Sequence, residues 1–228
     1  RFRGHDHCHE LLQHPRSVGK QQEGQRTINA GLDEAGRGPL AGPVTAAAVI
    51  FRPLPGVPQD LLEAGLSDSK KTSPQLRLFL EGAIRARAWV GYGWASHQEI
   101  DRINIHHASL LAMQRAFRGL LRQLAEDPSF ETADFTITAF ADGKYCPELP
   151  AECSALVGGD GIVPEIMAAS ILAKCARDRF MERYAPLEPL YEFASHKGYP
   201  TVRHRRLIGL HGPSAIQRLS YSVTLPPQ

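Results

Sequence analysis

Strand-like stretches alternate along this chain with amphipathic helical patterns, and this alternation limits the folds that the chain can adopt. Residues 44–51 are a run of β-branched residues and alanine that predicts a buried strand, and residues 89–96 alternate as a strand does. Residues 135–141 repeat the strand pattern, whereas residues 105–124 and 163–184 have helical patterns. The chain is therefore expected to fold as an α/β sheet covered by helices.

Local signals indicate where several helices begin. Ser73 can cap a helix that has Pro74 at its first position, and Ser96 with Glu99 forms a capping box for the next helix. A basic helical segment is expected over residues 201–211. The apolar spacing of the first helix predicts that these side chains face the core: Leu76, Phe79, Leu80, Ala83 and Ile84.

Composition bounds the class of protein. The 228 residues, 43% of them apolar, suffice for one ordinary domain, and no run is long enough to cross a membrane. Residues 1–28 are a polar leader that we expect to be disordered or loosely attached, and residues 29–228 are expected to form the folded domain.

The net charge of +2 is nearly balanced, so overall charge does not indicate a nucleic-acid binder. Four cysteines without a secretory signal favour a cytoplasmic protein with reduced thiols, and nothing in the sequence requires more than a monomer.

Acidic residues stand in glycine-bearing turns at the ends of predicted strands. Asp33 and Glu34 follow a short apolar run, Asp142 follows the strand at 135–141, and Asp160 follows a short strand. In open α/β sheets, functional groups gather at strand ends. Carboxylate clusters suit Mg²⁺ or Mn²⁺, and two such ions roughly 4 Å apart are the usual machinery for phosphodiester hydrolysis. Taken singly, an ordinary Asp-Gly turn remains the alternative for Asp142 and Asp160.

Eight short motifs, in order, resemble the ribonuclease HII family over roughly residues 29–225. They are D-E-A-G-R-G-P-L-A-G-P at 33–43, D-S-K-K at 68–71, E-I-D-R-I-N-I at 99–105, D-G at 142–143, G-D at 159–160, A-A-S-I-L-A-K at 168–174, R-D-R at 177–179 and H-K-G-Y-P-T at 196–201. Each motif alone is weak, whereas the order and spacing of all of them fit the family. The resemblance implies a ribonuclease H-like fold: a five-stranded mixed sheet flanked by helices, with a small helical C-terminal portion.

The same resemblance implies a metal-dependent endonuclease with Mn²⁺ or Mg²⁺ as cofactor. Its substrates would be RNA–DNA hybrids and duplex DNA with embedded ribonucleotides, and no membrane partner is expected. Cleavage would fall on the 5′ side of the ribonucleotide and leave 3′-hydroxyl and 5′-phosphate ends. Such an activity would support the removal of ribonucleotides from DNA.

Family roles carry over to the matching positions of this chain. The catalytic and metal-binding carboxylates implied by the resemblance are Asp33, Glu34, Asp142 and Asp160. The backbone of Gly36, Arg37 and Gly38 would contact the adjoining phosphate and the ribose 2′-hydroxyl, the group that separates RNA from DNA at one nucleotide. Tyr199 would stack on the deoxyribose after the ribonucleotide, with a half-buried structural tyrosine as the alternative.

Several basic residues are candidates for binding substrate phosphates. Lys70 and Lys174 are assigned to substrate binding, and Arg177 could serve phosphate or the acid cluster, although a solvated or paired charge is an equally good interpretation. Ser170 lies on a small-residue helix face that is expected to pack against the sheet. A basic patch suited to duplex phosphates, or else a merely solubilising surface, is expected at Lys197, Arg203, Arg205 and Arg206.

Two positions depart from the family pattern, and other interpretations stay open. Ser67 stands where asparagine is usual and Gly158 where lysine is common, and neither change removes a predicted ligand. A type 1 ribonuclease H or a resolvase would lack the glycine–arginine–glycine loop with a downstream Tyr199, and ribonuclease HIII is disfavoured by the type 2 loop. A catalytically silent hybrid binder would gain little from a costly cluster of repelling acids.

Overall fold

The computed structural model describes residues 26–52, 57–66, 73–130 and 135–226. The strands are β1 (Arg26–Ala35), β2 (Val44–Phe51), β3 (Ala88–Ala95), β4 (Phe135–Asp142) and β5 (Glu152–Leu156). The helices are α1 (Gln59–Glu63), α2 (Pro74–Ala86), α3 (His97–Glu126), α4 (Pro164–Tyr184), α5 (Phe193–His196) and α6 (Val202–His211). Short 3₁₀ turns cover Gly159–Gly161, Ala185–Leu187 and Pro189–Tyr191. No helix in these ranges combines the length and the apolar character needed to cross a membrane.

The strands form one mixed sheet in the order β3-β2-β1-β4-β5. β2 pairs antiparallel with both β1 and β3, whereas β4 runs parallel to β1 and β5 runs parallel to β4. The expected five-stranded mixed sheet is therefore confirmed. Because β1, β4 and β5 point the same way, their carboxyl ends meet at one edge of the sheet.

Helices cover both faces of the sheet. On one face α3 packs through small and large apolar residues, among them Ala112, Ala116, Phe117 and Leu120. On the other face α4 and α2 contribute a second layer, which includes Leu80, Ile84, Ala168 and Leu172. β2 is buried at every position, which explains why its sequence is continuously apolar and does not alternate.

α4 comes very close to β1 at Gly31. A Cβ at this position would lie 2.1 Å from the carbonyl carbon of Glu165, so a larger residue would push the helix away. Side chains two residues apart on a strand share a face, so Asp33 also faces α4. The close packing at Gly31 thus places the helix directly against the first predicted catalytic acid.

A smaller apolar cluster joins the C-terminal elements to the loop that follows β1. Its buried members are Ala41, Met181, Tyr191, Phe193, Leu207 and Ile216. Ala41 also forms an isolated antiparallel bridge with Gln217. The expected helical C-terminal portion is present, and it is anchored on the loop between β1 and β2.

Most predicted boundaries agree with the structure within a few residues. The cap at Ser73 and the capping box at Ser96 are both formed. The two helices predicted around residues 99–124 meet at Asn104, which has a φ of 62° and whose Oδ1 accepts a hydrogen bond from the amide of His107 at 3.1 Å. A polar residue able to adopt positive φ therefore bends α3 at this point.

Two predictions are wrong. β1 begins at Arg26, inside the segment 1–28 predicted as a polar leader, and Ile28 is buried in the core; residues 1–25 lie outside the described residues. Phe79, predicted to face the core, is 62% exposed, whereas Glu81 on the same helix is buried. The carboxylate of Glu81 pairs with Arg179 of α4 at 2.6 Å, and this ion pair allows the helix to turn an acidic residue inward.

Candidate active site

The acids of the three predicted turns lie at one edge of the sheet. The register pairs Leu32 with Ala141 on adjacent parallel strands, so the next residues, Asp33 and Asp142, occupy equivalent positions. Asp160 follows β5 in a 3₁₀ turn, and its amide donates to Oδ1 of Asp142 at 3.5 Å. Parallel pairing of β1, β4 and β5 thus brings these acids together, as expected from their places at strand ends.

Asp33 is the most enclosed of these acids, with 5% of its surface exposed. Burial first, and then the charges of Glu34 and Asp142, raise the pKa of the Asp33 carboxyl well above its ordinary value, while a hydrogen bond with Ser170 opposes the rise. Oδ1 of Asp33 also accepts a hydrogen bond from the Glu34 amide at 2.7 Å. Negative charge is therefore concentrated where water solvates it poorly.

Glu34 lies at the point where β1 gives way to the glycine-rich loop. Burial raises the pKa of its carboxyl, and the hydrogen bond and charge of Arg37 act in the opposite direction. Nη1 of Arg37 is 3.1 Å from Oε1 of Glu34, and the Arg37 side chain is 54% exposed against 8% for Glu34. Arg37 therefore offsets part of the charge of Glu34 from the solvent side.

The donor chemistry of this edge fits a hard divalent cation. All the candidate ligands are carboxylates, and their mutual repulsion is a cost that a bound cation would offset. Within the parts of the chain that the structure describes, no three His, Cys, Asp or Glu side chains are grouped so that they could hold a metal ion. Asp33, Glu34 and Asp142 are close enough for their charges to interact, but the described side chains do not form a closed ligand cage.

The glycine–arginine–glycine segment leads into a loop of residues 36–43 beside these acids. Gly36 is buried with a φ of 101°, whereas Arg37 and Gly38 are exposed. The amide of Leu40 donates to the carbonyl of Gly198 at 2.8 Å. The loop predicted to read the ribose is thus tied directly to the segment that carries Tyr199.

The ring of Tyr199 is half-buried and lies against two cations. Nζ of Lys174 is 5.0 Å from the ring centroid and the guanidinium carbon of Arg177 is 5.6 Å from it. Lys174 also pairs with Asp178 at 2.7 Å, so its charge is already partly matched on the helix. The structure therefore places Tyr199 and Lys174 together, while the roles assigned to them remain predictions.

Other predicted basic residues differ in their surroundings. Lys70 lies outside the described residues. Lys197 pairs with Glu182 at 2.9 Å, and Nε of Arg203 donates to Glu192 at 2.9 Å. Lys197 and Arg203, two of the four residues of the predicted basic patch, are thus matched with acids within the protein.

Sequence reasoning missed several residues that support this edge. Ser170, expected only to pack against the sheet, makes a hydrogen bond to Asp33. Arg177, expected to meet phosphate or to be solvated or paired, is fully buried and donates to backbone carbonyls. Arg218 is also fully buried and was not identified, because a single arginine in a segment without periodicity carries no signal of burial.

Comparisons with known proteins agree with the motifs. A family model described as ribonuclease HII matches residues 30–224. The chain is 47% identical over 194 residues to the ribonuclease HII of Nitrosomonas europaea, covering 84% of this chain and 81% of that protein. It is 46% identical over 199 residues to the ribonuclease HII of Treponema denticola, covering 85% of this chain and 97% of that protein. A chain of the PCNA:RNase HII complex from Archaeoglobus fulgidus superposes with a TM-score of 0.65 at 22% identity, covering 88% of this chain and 98% of that one, which confirms the ribonuclease H-like fold.

Proposed function

We propose a substrate range for this chain, which belongs to the ribonuclease HII family and is therefore a type 2 ribonuclease H, a metal-dependent endoribonuclease. It nicks duplex DNA on the 5′ side of a single embedded ribonucleotide. It also cleaves the RNA strand of RNA–DNA hybrids. The products would carry 3′-hydroxyl and 5′-phosphate ends, and the activity would support ribonucleotide removal from DNA. The observation that carries the proposal is the juxtaposition of the strand-end carboxylates with the loop of residues 36–43. We further propose that the protein acts as a monomer in the cytoplasm.

The candidate ligands for Mn²⁺ or Mg²⁺ are the acids of this edge. Asp33, Glu34 and Asp142 would be the most direct ligands, and Asp160 would serve a second ion or position water. Bound ions would supply activation of a water molecule and stabilisation of the leaving oxygen. Since the described side chains do not form a ready cage, the carboxylate rotamers would adjust on binding.

Residues of the chain itself would set the geometry of the reacting groups. Ser170, whose hydrogen bond opposes the rise in the pKa of Asp33, would help to orient that carboxylate. The backbone of Arg37 and Gly38, two exposed residues, would meet the ribose 2′-hydroxyl and the adjoining phosphate. Tyr199 would stack on the following deoxyribose, and Lys174, whose ammonium lies over the same ring, would meet a nearby phosphate.

A nicking assay on a DNA duplex with one ribonucleotide tests the proposal. Wild-type protein should cut immediately 5′ of the ribonucleotide with Mn²⁺ or Mg²⁺ and should not cut when the ions are chelated. Asp142→Asn should reduce the rate by at least about 100-fold, because it removes one of the charges aimed at the cations. It should also lose the rise in melting temperature that the ions give the wild type, since a ligand that binds only the folded state stabilises it.

Glu152→Gln is the matched control, because it also removes one negative charge from the same sheet. Glu152 is exposed and begins β5, at the end opposite the acids, so this variant should keep wild-type activity and metal response. Cleavage of long hybrids with no nick at a single ribonucleotide would refute the proposed substrate range. Binding of the duplex without cleavage in either metal would favour the silent hybrid binder.

A further inference from the structure

Arg218 is a fully buried arginine with all of its donors used. A guanidinium has five N–H groups, and here each has an acceptor of its own. Nε donates to the carbonyl of Gly42 at 2.9 Å, Nη1 to the carbonyl of Arg37 at 3.0 Å and the hydroxyl of Tyr221 at 3.2 Å, and Nη2 to the carbonyls of Gly36 at 2.6 Å and Pro43 at 3.1 Å. The guanidinium therefore binds both ends of the loop of residues 36–43.

Arg177 binds the same loop from α4. It donates to the carbonyls of Pro43 at 3.0 Å and Ala41 at 3.1 Å, and its third hydrogen bond, at 3.0 Å, goes to the carbonyl of Lys197. That last contact joins the loop to the segment that carries Tyr199. We call Arg177 and Arg218 the arginine clamp.

Stability alone does not account for the arginine clamp. Burying a charge is costly, and replacing a buried charged group by apolar residues of similar volume is often neutral or stabilising. Burial, and then the charge of Arg218, lower the pKa of Arg177 to about 10. Two like charges are thus held together in the interior, with carbonyl oxygens and one tyrosine hydroxyl as their hydrogen-bond partners.

The clamp determines which way the loop amides point. In a trans peptide the C=O and the following N–H point in opposite directions. Because Arg218 draws the carbonyls of Gly36 and Arg37 inward, the amides of Arg37 and Gly38 are directed away from the guanidinium. In the described portion of the chain no hydrogen-bond acceptor is found for these two amides, and both residues are exposed.

The position of Arg218 is itself fixed on both sides. Its amide donates to the carbonyl of Leu40 at 2.8 Å. The following residues are held by Asp101 of α3, whose carboxylate accepts from the amides of Leu219 at 3.0 Å and Ser220 at 2.9 Å. The guanidinium therefore has little freedom to shift when a substrate binds to the loop.

We propose that Arg218, assisted by Tyr221 and Arg177, is a positioning residue that holds the loop carbonyls inward and so presents the amides of Arg37 and Gly38 to the sugar–phosphate backbone of the substrate. This inference rests on the proposed function, in which that loop contacts the ribonucleotide. Tyr221 takes part through its hydroxyl, which donates to the carbonyl of Arg37 at 2.7 Å. Arg218 acts only through the loop, whereas the loop amides would touch the substrate.

The experiment compares two tyrosine variants with single-ribonucleotide duplex as substrate. Tyr221→Phe keeps the ring but removes the hydroxyl that donates to the carbonyl of Arg37 and accepts from Nη1 of Arg218, so we expect kcat to fall about 5-fold with little change in KM. Tyr184→Phe is the control: Tyr184 is also half-buried and its hydroxyl also has one acceptor, Glu188 at 2.9 Å, away from the loop. This variant should keep the wild-type kcat.

Arg218 is tested by a conservative pair of variants. Arg218→Met removes the donor to the carbonyls of Gly36 and Gly42 and leaves those of Arg37 and Pro43 with one donor each, Tyr221 and Arg177. Arg218→Lys restores the charge with fewer, differently placed donors. We expect kcat to fall at least about 100-fold in Arg218→Met and less in Arg218→Lys. Hydrogen–deuterium exchange should accelerate over residues 36–43 in Tyr221→Phe and Arg218→Lys, with little change elsewhere. If Arg218→Met does not fold, Tyr221→Phe and the exchange measurement still decide the matter.

The outcomes separate this inference from the function on which it rests. A wild-type protein that does not nick the duplex would overturn the proposed function. A wild-type protein that nicks, together with folded Tyr221→Phe and Arg218→Lys variants that keep its kcat and its loop exchange, would overturn the positioning role alone. A fall in kcat with accelerated exchange limited to the loop supports it.

Discussion

Gly36 offers the sharpest test of how tightly the substrate loop is packed. Its φ of 101° lies in the region that residues with a Cβ rarely adopt. A Cβ at this position would lie 2.2 Å from Nε and 2.4 Å from Cδ of Arg177, and 3.0 Å from the carbonyl oxygen of Pro43. Arg177 cannot move aside easily, because it is fully buried and its guanidinium is committed to three carbonyls.

Gly36→Ala should therefore be strongly destabilising. A residue held in an unfavourable backbone region costs about 1–3 kcal/mol. Forcing an extra methyl group into a packed interior costs about 1–3 kcal/mol more. The sum is about 2–6 kcal/mol, and at about 2–4 °C per kcal/mol for a chain of this length it predicts a fall in melting temperature of roughly 5–20 °C.

Gly38→Ala is the matched control in the same loop. A Cβ there would have no heavy atom within 4 Å, and its φ is outside the strained range. Scanning calorimetry of wild type and both variants should show a large fall for Gly36→Ala and nearly no change for Gly38→Ala. If the two variants melt within about 1 °C of each other, the loop yields to the added methyl group, and the rigidity assigned to the arginine clamp is refuted.

Two further outcomes follow from the Tyr199 segment. Tyr199→Ala should lose more activity on a single-ribonucleotide duplex than on a long hybrid, whereas Tyr199→Phe should keep the ratio, because the ring alone is needed for stacking; equal losses in the alanine variant would mean that the ring does not read the junction. Burial, and then the charge of His196, lower the pKa of His204 to about 4, so the folded state resists protonation and the unfolded state takes up the proton first. The free energy of unfolding, measured in urea, should consequently fall by up to about 3 kcal/mol between pH 6.5 and pH 4. His204→Phe should flatten that fall, and identical pH curves for variant and wild type would contradict the assignment.

Much of the fold could be predicted because local signals and tertiary structure agree. The run at 44–51 became a strand buried at every position, and the caps at Ser73 and Ser96 mark helix starts that the structure retains. Phe79 shows where periodicity fails, because the apolar pattern of an amphipathic helix is compatible with more than one side facing the core. The ion pair of Glu81 with Arg179 of α4 determines which side of α2 is buried, and no local pattern reveals this pair. Such a choice depends on a partner 98 residues away.

The candidate site likewise contains residues that could be predicted from the sequence and residues that could not. The acids could be placed together because each lies at or just after the carboxyl end of a strand, and strand ends of one direction must share an edge. The residues that hold the site in place could not be located. Ser170 looks like one more small residue on a helix face, and Arg218 contacts a loop 175 or more residues earlier in the chain. Contacts of this separation leave no trace in a single sequence.

The energetic character of this edge supports the proposed site independently of any motif. Burial, and then the charges of neighbouring acids, raise the pKa of Asp33. Burial, and then the charge of Arg218, lower the pKa of Arg177. Each buried charge costs folding free energy that an apolar residue of similar size would not cost. The apolar clusters on the two faces of the sheet supply the stability that offsets this cost. The acids precede the loop of residues 36–43 and the arginines bind its carbonyls, an arrangement suited to a site that must hold cations and orient a sugar–phosphate backbone at the same time.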